Sequence, residues 1–215
     1  MKSTEFITDG ASKGDIYEMV HAIKRDCQPY LQEAKPFDAY TQLMRGMGKA
    51  NKNFIDNKSI RLDDRTPKDI PKELHSRINS YFKQKFGGEF RNALFASGDY
   101  IQAENYGNVY YIYPIGDFKY LYNPDIEDLF MNYDEYAPWF KPGTGPSPEE
   151  LERQRREAMQ TFFDEEIDVN GWHNTNLQAG IQSGMEIMIR AKAYHAISEM
   201  AIEEEPTEFF RMLEQ

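Results

Sequence analysis

The stretch Met185-Glu-Ile-Met-Ile-Arg190 is the most apolar strand candidate of the chain, and its pattern continues through Tyr194-His-Ala-Ile197. Runs of this length that are rich in β-branched and aromatic residues are typical of buried strands. Glu186 interrupts the run, because an ionised carboxylate that is buried without partners is strongly destabilising. The stretch therefore predicts a strand in which Glu186 is out of place.

Shorter strand candidates precede this stretch and alternate with segments of helical periodicity. The strand candidates are Gln42 to Met44, Ser59 to Leu62, Ala93 to Ser97, Asn108 to Tyr113 and Phe118 to Tyr122. The helix candidates are residues 15–33, Pro71 to Phe86, Tyr100 to Tyr106, Ile126 to Met131 and Pro148 to Phe163. The polar segment through Asn57 is interpreted as a loop. This mixture predicts an α+β fold with helices packed outside the sheet.

The chain has 215 residues, enough for one core of ordinary size, and residues 1–215 are predicted to form a single domain. Its parts are an N-terminal helix over 15–33, a core over 37–197, a surface loop over 138–148 and an acidic C-terminal tail over 199–215. The loop is rich in proline and glycine, but the segment after it is too short to be stable alone.

Charge and composition exclude several classes of function. The 36 acidic and 25 basic side chains leave a formal net charge of -11, so non-specific binding to nucleic-acid phosphates is not expected. The single cysteine, Cys27, and the lack of a His/Cys cluster predict no metal site. We found no apolar run of signal-peptide or membrane-span length, which predicts a cytoplasmic protein without a membrane partner.

Three residues depart from the pattern of a plain core. Arg45 and Ser97 each end an apolar strand candidate, and each is followed by a glycine that permits close approach to the backbone. Glu186 is the third. The structural alternatives are a strand-end arginine paired with a carboxylate, a turn serine and a solvent-facing glutamate on an edge strand.

Four short pieces around these residues resemble a known family. They are Leu43-Met-Arg-Gly-Met47, Leu94-Phe-Ala-Ser-Gly98, Ala103-Glu-Asn-Tyr-Gly107 and Gly184-Met-Glu-Ile-Met-Ile189. Their order resembles the Arg…Ser…Glu pattern of ADP-ribosyltransferases, a family that includes small members encoded by tailed bacteriophages. The resemblance implies split mixed or antiparallel sheets that form a cleft clamping NAD, with helices outside.

The resemblance also implies roles for individual residues. Arg45 would hold the NAD phosphates, and the backbone of Gly46 would lie near the nicotinamide amide. Ser97 would orient the catalytic carboxylate, while Tyr106 would stack against the nicotinamide ring. Glu186 would stabilise the oxocarbenium-like ribose as nicotinamide departs, which is the electrostatic role that a fixed carboxylate performs well.

Binding of the anionic NAD by an acidic protein requires a local concentration of positive charge. Arg45, together with Arg65 or Arg91, is therefore predicted to form a basic pocket. The alternative for Arg65 is an ion pair in a surface turn, and the alternative for Tyr106 is a core aromatic.

The sequence thus predicts an NAD-dependent mono-ADP-ribosyltransferase, with NAD as substrate and a protein as acceptor. Arginine-modifying members of the family have an acidic residue where this chain has Gly184, so the resemblance does not extend to arginine as the acceptor. If the chain is phage-encoded, it would act in the host cytoplasm or associate with the virion.

Two alternatives remain open at this level. The first is a catalytically inactive or virion-associated protein that binds a host or capsid partner through its acidic surface. The second is a nucleotide hydrolase or phosphotransferase of the same fold, although the chain has no GxxxxGK[ST] loop to support it. The enzyme hypothesis requires that Arg45, Ser97 and Glu186 line one cleft.

Overall fold

The computed structural model describes residues 11–35, 41–48, 50–63, 65, 70–137 and 145–215. The strands in this part of the chain are β1 (Met44–Met47), β2 (Phe54–Ser59), β3 (Leu94–Ser97), β4 (Asn108–Tyr122) and β5 (Glu186–Ser198). The helices are α1 (Lys13–Asp26), α2 (Gln28–Glu33), α3 (Lys72–Phe86), α4 (Tyr100–Glu104), α5 (Leu129–Tyr136), α6 (Pro148–Phe162), α7 (Leu177–Ser183), α8 (Glu199–Ile202) and α9 (Pro206–Glu214). A π-helical turn, Phe163–Ile167, follows α6. The prediction of an α+β fold is confirmed.

The apolar stretch that begins at Met185 forms the strand with the most neighbours in the sheet, β5. It pairs antiparallel with β2, β3 and β4, and the order of the sheet is β2-β5-β3-β1-β4. Because β4 also pairs directly with β5, the strands β5, β3, β1 and β4 close into a ring. All the pairings between the described strands are antiparallel.

Successive side chains of β5 point to opposite faces of the sheet, and both faces are buried. Ile187 and Ile189 belong to one apolar cluster, whereas Met188 belongs to another. The first cluster includes buried residues of α1, α2 and α9, and the second includes buried residues of α3, α5 and α6. Burial on both faces explains why the sequence of β5 is almost continuously apolar.

The predicted N-terminal helix over 15–33 is in fact two helices. Ser12 caps α1 through a reciprocal pair of hydrogen bonds with Asp15, so the helix begins two residues earlier than predicted. It ends at Asp26, and α2 begins at Gln28 with Pro29 in its first turn, so that Cys27 caps both helices. Proline has no N–H to continue the α1 hydrogen bonds, and it is favoured at a new helix start.

The strand boundaries differ from the prediction in several places. Of the strand predicted over Ser59 to Leu62, only Ser59 lies in a strand, at the end of β2. The polar segment interpreted as a loop contains β2, an edge strand whose side chains are mostly exposed, which explains its lack of apolar residues. The strand predicted to end at Arg45 instead runs from Met44 to Met47. The two strands predicted between Asn108 and Tyr122 are one strand, β4, with an irregular register between Ile115 and Phe118.

The segment 199–215, predicted as an acidic tail, forms α8 and α9. One face of α9 buries Phe209, Phe210 and Leu213 in the first apolar cluster, while its acidic residues face solvent. Residues 37–40 of the predicted core and 138–144 of the predicted loop lie outside the described residues. Within the described part of the chain, no helix has both the length and the apolar character needed to cross a membrane.

Candidate active site

A cleft of about 1030 Å³ lies beside β1, β3 and the first residue of β5. Its volume is at the upper end of the range of small-molecule sites, roughly 300–1,000 Å³. The cleft is lined by every residue that the sequence analysis singled out for the site, namely Arg45, Gly46, Arg65, Arg91, Ser97, Tyr106 and Glu186. The fold therefore brings these residues together from segments far apart in the chain.

The pairing of three strands explains why the key residues meet. Ser97, the last residue of β3, is the register partner of both Met44 on β1 and Glu186 on β5. Arg45 follows Met44 directly on β1. The ends of the three strands thus meet at the cleft, with Ser97 in the middle.

Glu186 is largely buried, with 12% of its side chain exposed. The Arg91 Nη1 donates a hydrogen bond to its Oε1 over 2.9 Å, and the Arg91 side chain is 9% exposed. Burial raises the pKa of Glu186 to about 7, and the positive charge of Arg91 limits this rise. The carboxyl group is therefore poised to titrate near neutral pH.

Arg91 is held on several sides. Its backbone N–H donates to the Asn79 Oδ1 over 2.8 Å, which anchors the residue to α3. Its guanidinium lies 4.6 Å from the ring centroid of Phe95, a distance typical of a cation–π contact. The Arg91 side chain is thus fixed before any ligand arrives.

Two further arginines converge on the same strand. The Arg45 Nη1 donates to the backbone carbonyl of Phe95. The Arg65 Nη1 donates to the carbonyl of Ala93 over 2.6 Å, and its guanidinium lies 4.0 Å from the Phe95 ring centroid. Arg65 is therefore a residue of the cleft wall.

The charge of the cleft is opposite to that of the chain. Among the described residues that line it, the cationic side chains are Arg45, Lys58, Arg61, Arg65 and Arg91, and the acidic ones are Asp128 and Glu186. The whole chain has a formal charge of -11. Field lines from clustered arginines are concentrated in a cleft, so this one attracts anions.

Contrary to what the resemblance implied, the Ser97 hydroxyl does not donate to the Glu186 carboxylate, although the two residues are neighbours on paired strands. This hydroxyl donates to the backbone carbonyl of Gly184 over 2.5 Å and accepts a hydrogen bond from the backbone N–H of Asp99 over 2.9 Å. A serine hydroxyl has one proton, and here its hydrogen bond connects β3 to Gly184, two residues before β5 begins. Ser97 therefore positions the chain that leads to Glu186.

The two glycines that follow Arg45 and Ser97 make room for protein rather than for ligand. A Cβ atom at Gly46 would lie 2.0 Å from the Ala103 carbonyl oxygen, and one at Gly98 would lie 1.8 Å from the Ile181 carbonyl oxygen. The close approach that these glycines permit is thus made by protein backbone, and Gly46 in addition lines the cleft. Each permits a helix end to pack directly on a strand end.

Tyr106 lies at the mouth of the cleft and is 57% exposed, so it is not a core aromatic. Its hydroxyl donates to the Asp128 Oδ2 over 2.7 Å. The Asp128 Oδ1 also caps α5 by accepting a hydrogen bond from the backbone N–H of Phe130. The exposed ring of Tyr106 is therefore oriented by the start of α5.

Sequence reasoning missed His75, which lines the cleft from α3. The residue is buried, and its Nε2 has no hydrogen-bond partner in the described part of the protein. Burial lowers the pKa of His75, so the ring is neutral at neutral pH. Its role could not be inferred from the sequence, because only the packing of α3 against β3 brings it to the cleft.

Comparison with protein-family models, with curated proteins and with solved structures gave no match. Within the described residues, no group of three or more His, Cys, Asp or Glu side chains is arranged to hold a metal ion. The function of the protein is therefore inferred from the geometry and charge of the cleft.

Proposed function

We propose that the protein is an NAD-dependent mono-ADP-ribosyltransferase that modifies a protein acceptor. The observation that carries the proposal is the meeting of Arg45, Ser97 and Glu186 in one cleft, each from a different strand. The hypothesis of an enzyme requires this arrangement, because the three side chains must act on one substrate. The cationic lining of the cleft supports an anionic substrate.

The cleft suits the chemistry of NAD in three respects. Arginine presents a planar, permanently charged group that recognises phosphate oxygens through paired hydrogen bonds, and Arg45 and Arg65 both line the cleft. Its volume of about 1030 Å³ is sufficient for a dinucleotide. The exposed ring of Tyr106 offers an aromatic face to a heterocycle at the mouth.

In the proposed reaction, the bond between the ribose C1′ and the nicotinamide nitrogen breaks, and its electron pair leaves with nicotinamide. The ribose develops positive charge, which the Glu186 carboxylate stabilises. A nucleophilic atom of the acceptor forms the new bond to C1′ and loses a proton. When water takes the place of the acceptor, the products are ADP-ribose, nicotinamide and a proton.

The test uses the purified full-length chain with NAD labelled in its adenylate half, alone and with cell extract. We expect release of nicotinamide and transfer of label to protein by the wild type, and a loss of both in Glu186→Gln. Glu204→Gln is the matched control, because Glu204 is exposed and is not among the residues that line the cleft.

Two results would contradict the proposal. One is a wild-type protein that neither binds nor consumes NAD, which would favour a partner-binding protein with an acidic surface. The other is a Glu186→Gln protein with the activity of the wild type, which would place the chemistry elsewhere.

A further inference from the structure

We infer that Arg91, and not Ser97, is the positioning residue that holds the Glu186 carboxylate in its working orientation. The inference rests on the proposed function, since it assigns a role within the same site. It departs from the sequence analysis, in which Ser97 was expected to orient the carboxylate.

The first step is the use of the Ser97 proton. The Ser97 hydroxyl donates to the Gly184 carbonyl over 2.5 Å, and it accepts a hydrogen bond from Asp99. A hydroxyl can donate only one hydrogen bond, so none is available for a carboxylate in this arrangement. Ser97, the register partner of Glu186 on β3, thus hydrogen-bonds only the backbone in this arrangement. The carboxylate must accept its hydrogen bond from another donor.

The second step is the contact that Glu186 does make. The Arg91 Nη1 lies 2.9 Å from its Oε1, and the two side chains are only 9% and 12% exposed. Hydrogen bonds between ionised groups are about twice as strong as neutral ones, and burial protects this one from screening by salt. Arg91 itself is fixed by Asn79 and by the ring of Phe95. A fixed donor next to a carboxylate is what preorganised catalysis requires.

The third step concerns the charges that face Glu186. Arg91 and Arg65 favour its ionised form, whereas burial and the negative charge of Asp128 favour its protonated form. Arg45 on β1 is also within electrostatic reach of Glu186. Because burial already raises the pKa of Glu186 to about 7, removal of Arg91 should raise it further and leave the carboxyl protonated at neutral pH.

The experiment compares Arg91→Met, Arg91→Lys and Ser97→Ala in the full-length chain. The rate of nicotinamide release per NAD, expressed as kcat/KM, is measured against pH, because this ratio reports the pKa of the free enzyme. We expect the midpoint of the acid limb to rise by about one unit or more in Arg91→Met, so that activity falls about tenfold below neutral pH and recovers above it. Arg91→Lys keeps the charge and should restore most of the profile.

Two controls keep the result specific. Ser97→Ala should lower activity at every pH without moving the midpoint. Arg156→Met should leave the profile unchanged, because Arg156 pairs with Glu152 on the exposed surface of α6. If Arg91→Met does not fold, Arg91→Gln, which also removes the positive charge, takes its place, and the same rise in the midpoint is expected.

A second readout is independent of NAD. The titration of the Glu186 carboxyl carbon is followed by NMR, with Glu186→Gln used to assign the signal. A higher midpoint in Arg91→Met supports the inference even when no variant consumes NAD, and in that case only the proposed function fails. An equal loss of activity at all pH values in Arg91→Met, with an unmoved NMR midpoint, would overturn the inference. A midpoint that moves in Ser97→Ala instead would assign the role to Ser97.

Discussion

The two ends of β5 each bury a titratable side chain, but they surround it differently. At the first end, Glu186 lies in the wall of a large cleft with Arg91 as its charged hydrogen-bond donor. At the other end, His195 is completely buried. Its Nε2 lies 3.0 Å from the Asp26 Oδ2, and its Nδ1 lies 3.0 Å from the Asp56 Oδ1. The ring of Phe54 stacks on it, with 5.4 Å between the ring centroids.

The two ends differ in the hydrogen-bond partners of the buried polar side chains named here. Both ring nitrogens of His195 have polar partners, so this end of β5 ties α1 to the edge strand β2. At the Glu186 end, the Arg91 Nε and the His75 Nε2 are buried without a hydrogen-bond partner in the described residues. A buried polar atom without a partner costs about 1–3 kcal/mol, and these two belong to residues that line the cleft. Under the proposed function, the Glu186 end is the catalytic end of β5, and the His195 end joins α1 to β2.

The largest expected effect is on activity at the Glu186 end. Glu186→Gln should lower kcat/KM by about 10³-fold, equivalent to about 4 kcal/mol, because the amide cannot stabilise a cationic ribose. The rate of nicotinamide release measures this loss. His195→Phe, at equal concentration of folded protein, should retain the wild-type rate. An equal loss of activity in both variants would contradict the proposed difference between the two ends of β5.

The next effect is on stability at the His195 end. His195→Phe should lower the free energy of unfolding by about 3 kcal/mol, because Asp26 would lose a buried hydrogen-bond partner. Urea unfolding followed by circular dichroism measures the change. His21→Phe on the exposed face of α1 is the matched control and should change stability little. A stable His195→Phe protein would show that the cluster does not hold α1 to the sheet.

A smaller and pH-dependent effect is expected for Asp26. Hydrogen bonds from Arg25 and His195 lower its pKa from 3.8 to about 2. A carboxyl group whose pKa is lowered in the folded state stabilises the fold at pH values above its ordinary pKa. This contribution is lost as the pH falls from about 4 to about 2. Asp26→Asn should therefore cost about 2 kcal/mol at neutral pH and progressively less in acid.

Urea unfolding at several pH values tests the Asp26 prediction. Asp117→Asn removes an exposed carboxylate and should show no such trend. A difference between Asp26→Asn and the wild type that stays constant down to about pH 2 would argue against the ion-pair contribution.

The smallest effect is expected for Ser97→Ala. The loss of its hydrogen bonds to Gly184 and Asp99 should lower the free energy of unfolding by about 1 kcal/mol. Activity should fall by about tenfold or less, since the Arg91 contact with Glu186 is retained. A loss as large as that of Glu186→Gln would show that Ser97 takes part in the chemistry directly.

Elements defined by local signals were predicted well. The helix after Pro71 runs from Lys72 to Phe86, as its apolar spacing and the glycine at position 87 indicated. The strand over Leu94–Ser97 and the apolar stretch of β5 were also recognised. In each case the pattern of apolar residues within the element was sufficient for the prediction. The pattern is clear because both faces of β5 and one face of α3 are buried.

Elements that depend on a distant partner were missed or misplaced. The edge strand β2 is polar, so only its pairing with β5 makes it a strand. The acidic C-terminal segment was interpreted by its charge, yet α9 is held by Phe209 and Phe210 in the core. Propensity is a weak guide where tertiary contacts decide the structure.

The sequence alone determined that Arg45, Ser97 and Glu186 are out of place in apolar strands, and that an acidic chain needs a local basic pocket to bind an anion. Only the tertiary structure decided which groups meet. Arg91 and Glu186 are 95 residues apart in the chain, and the hydrogen bond between them forms at 2.9 Å. Side-chain hydrogen bonds require a short distance and a set direction, and these are established only when β3, β5 and α3 pack together.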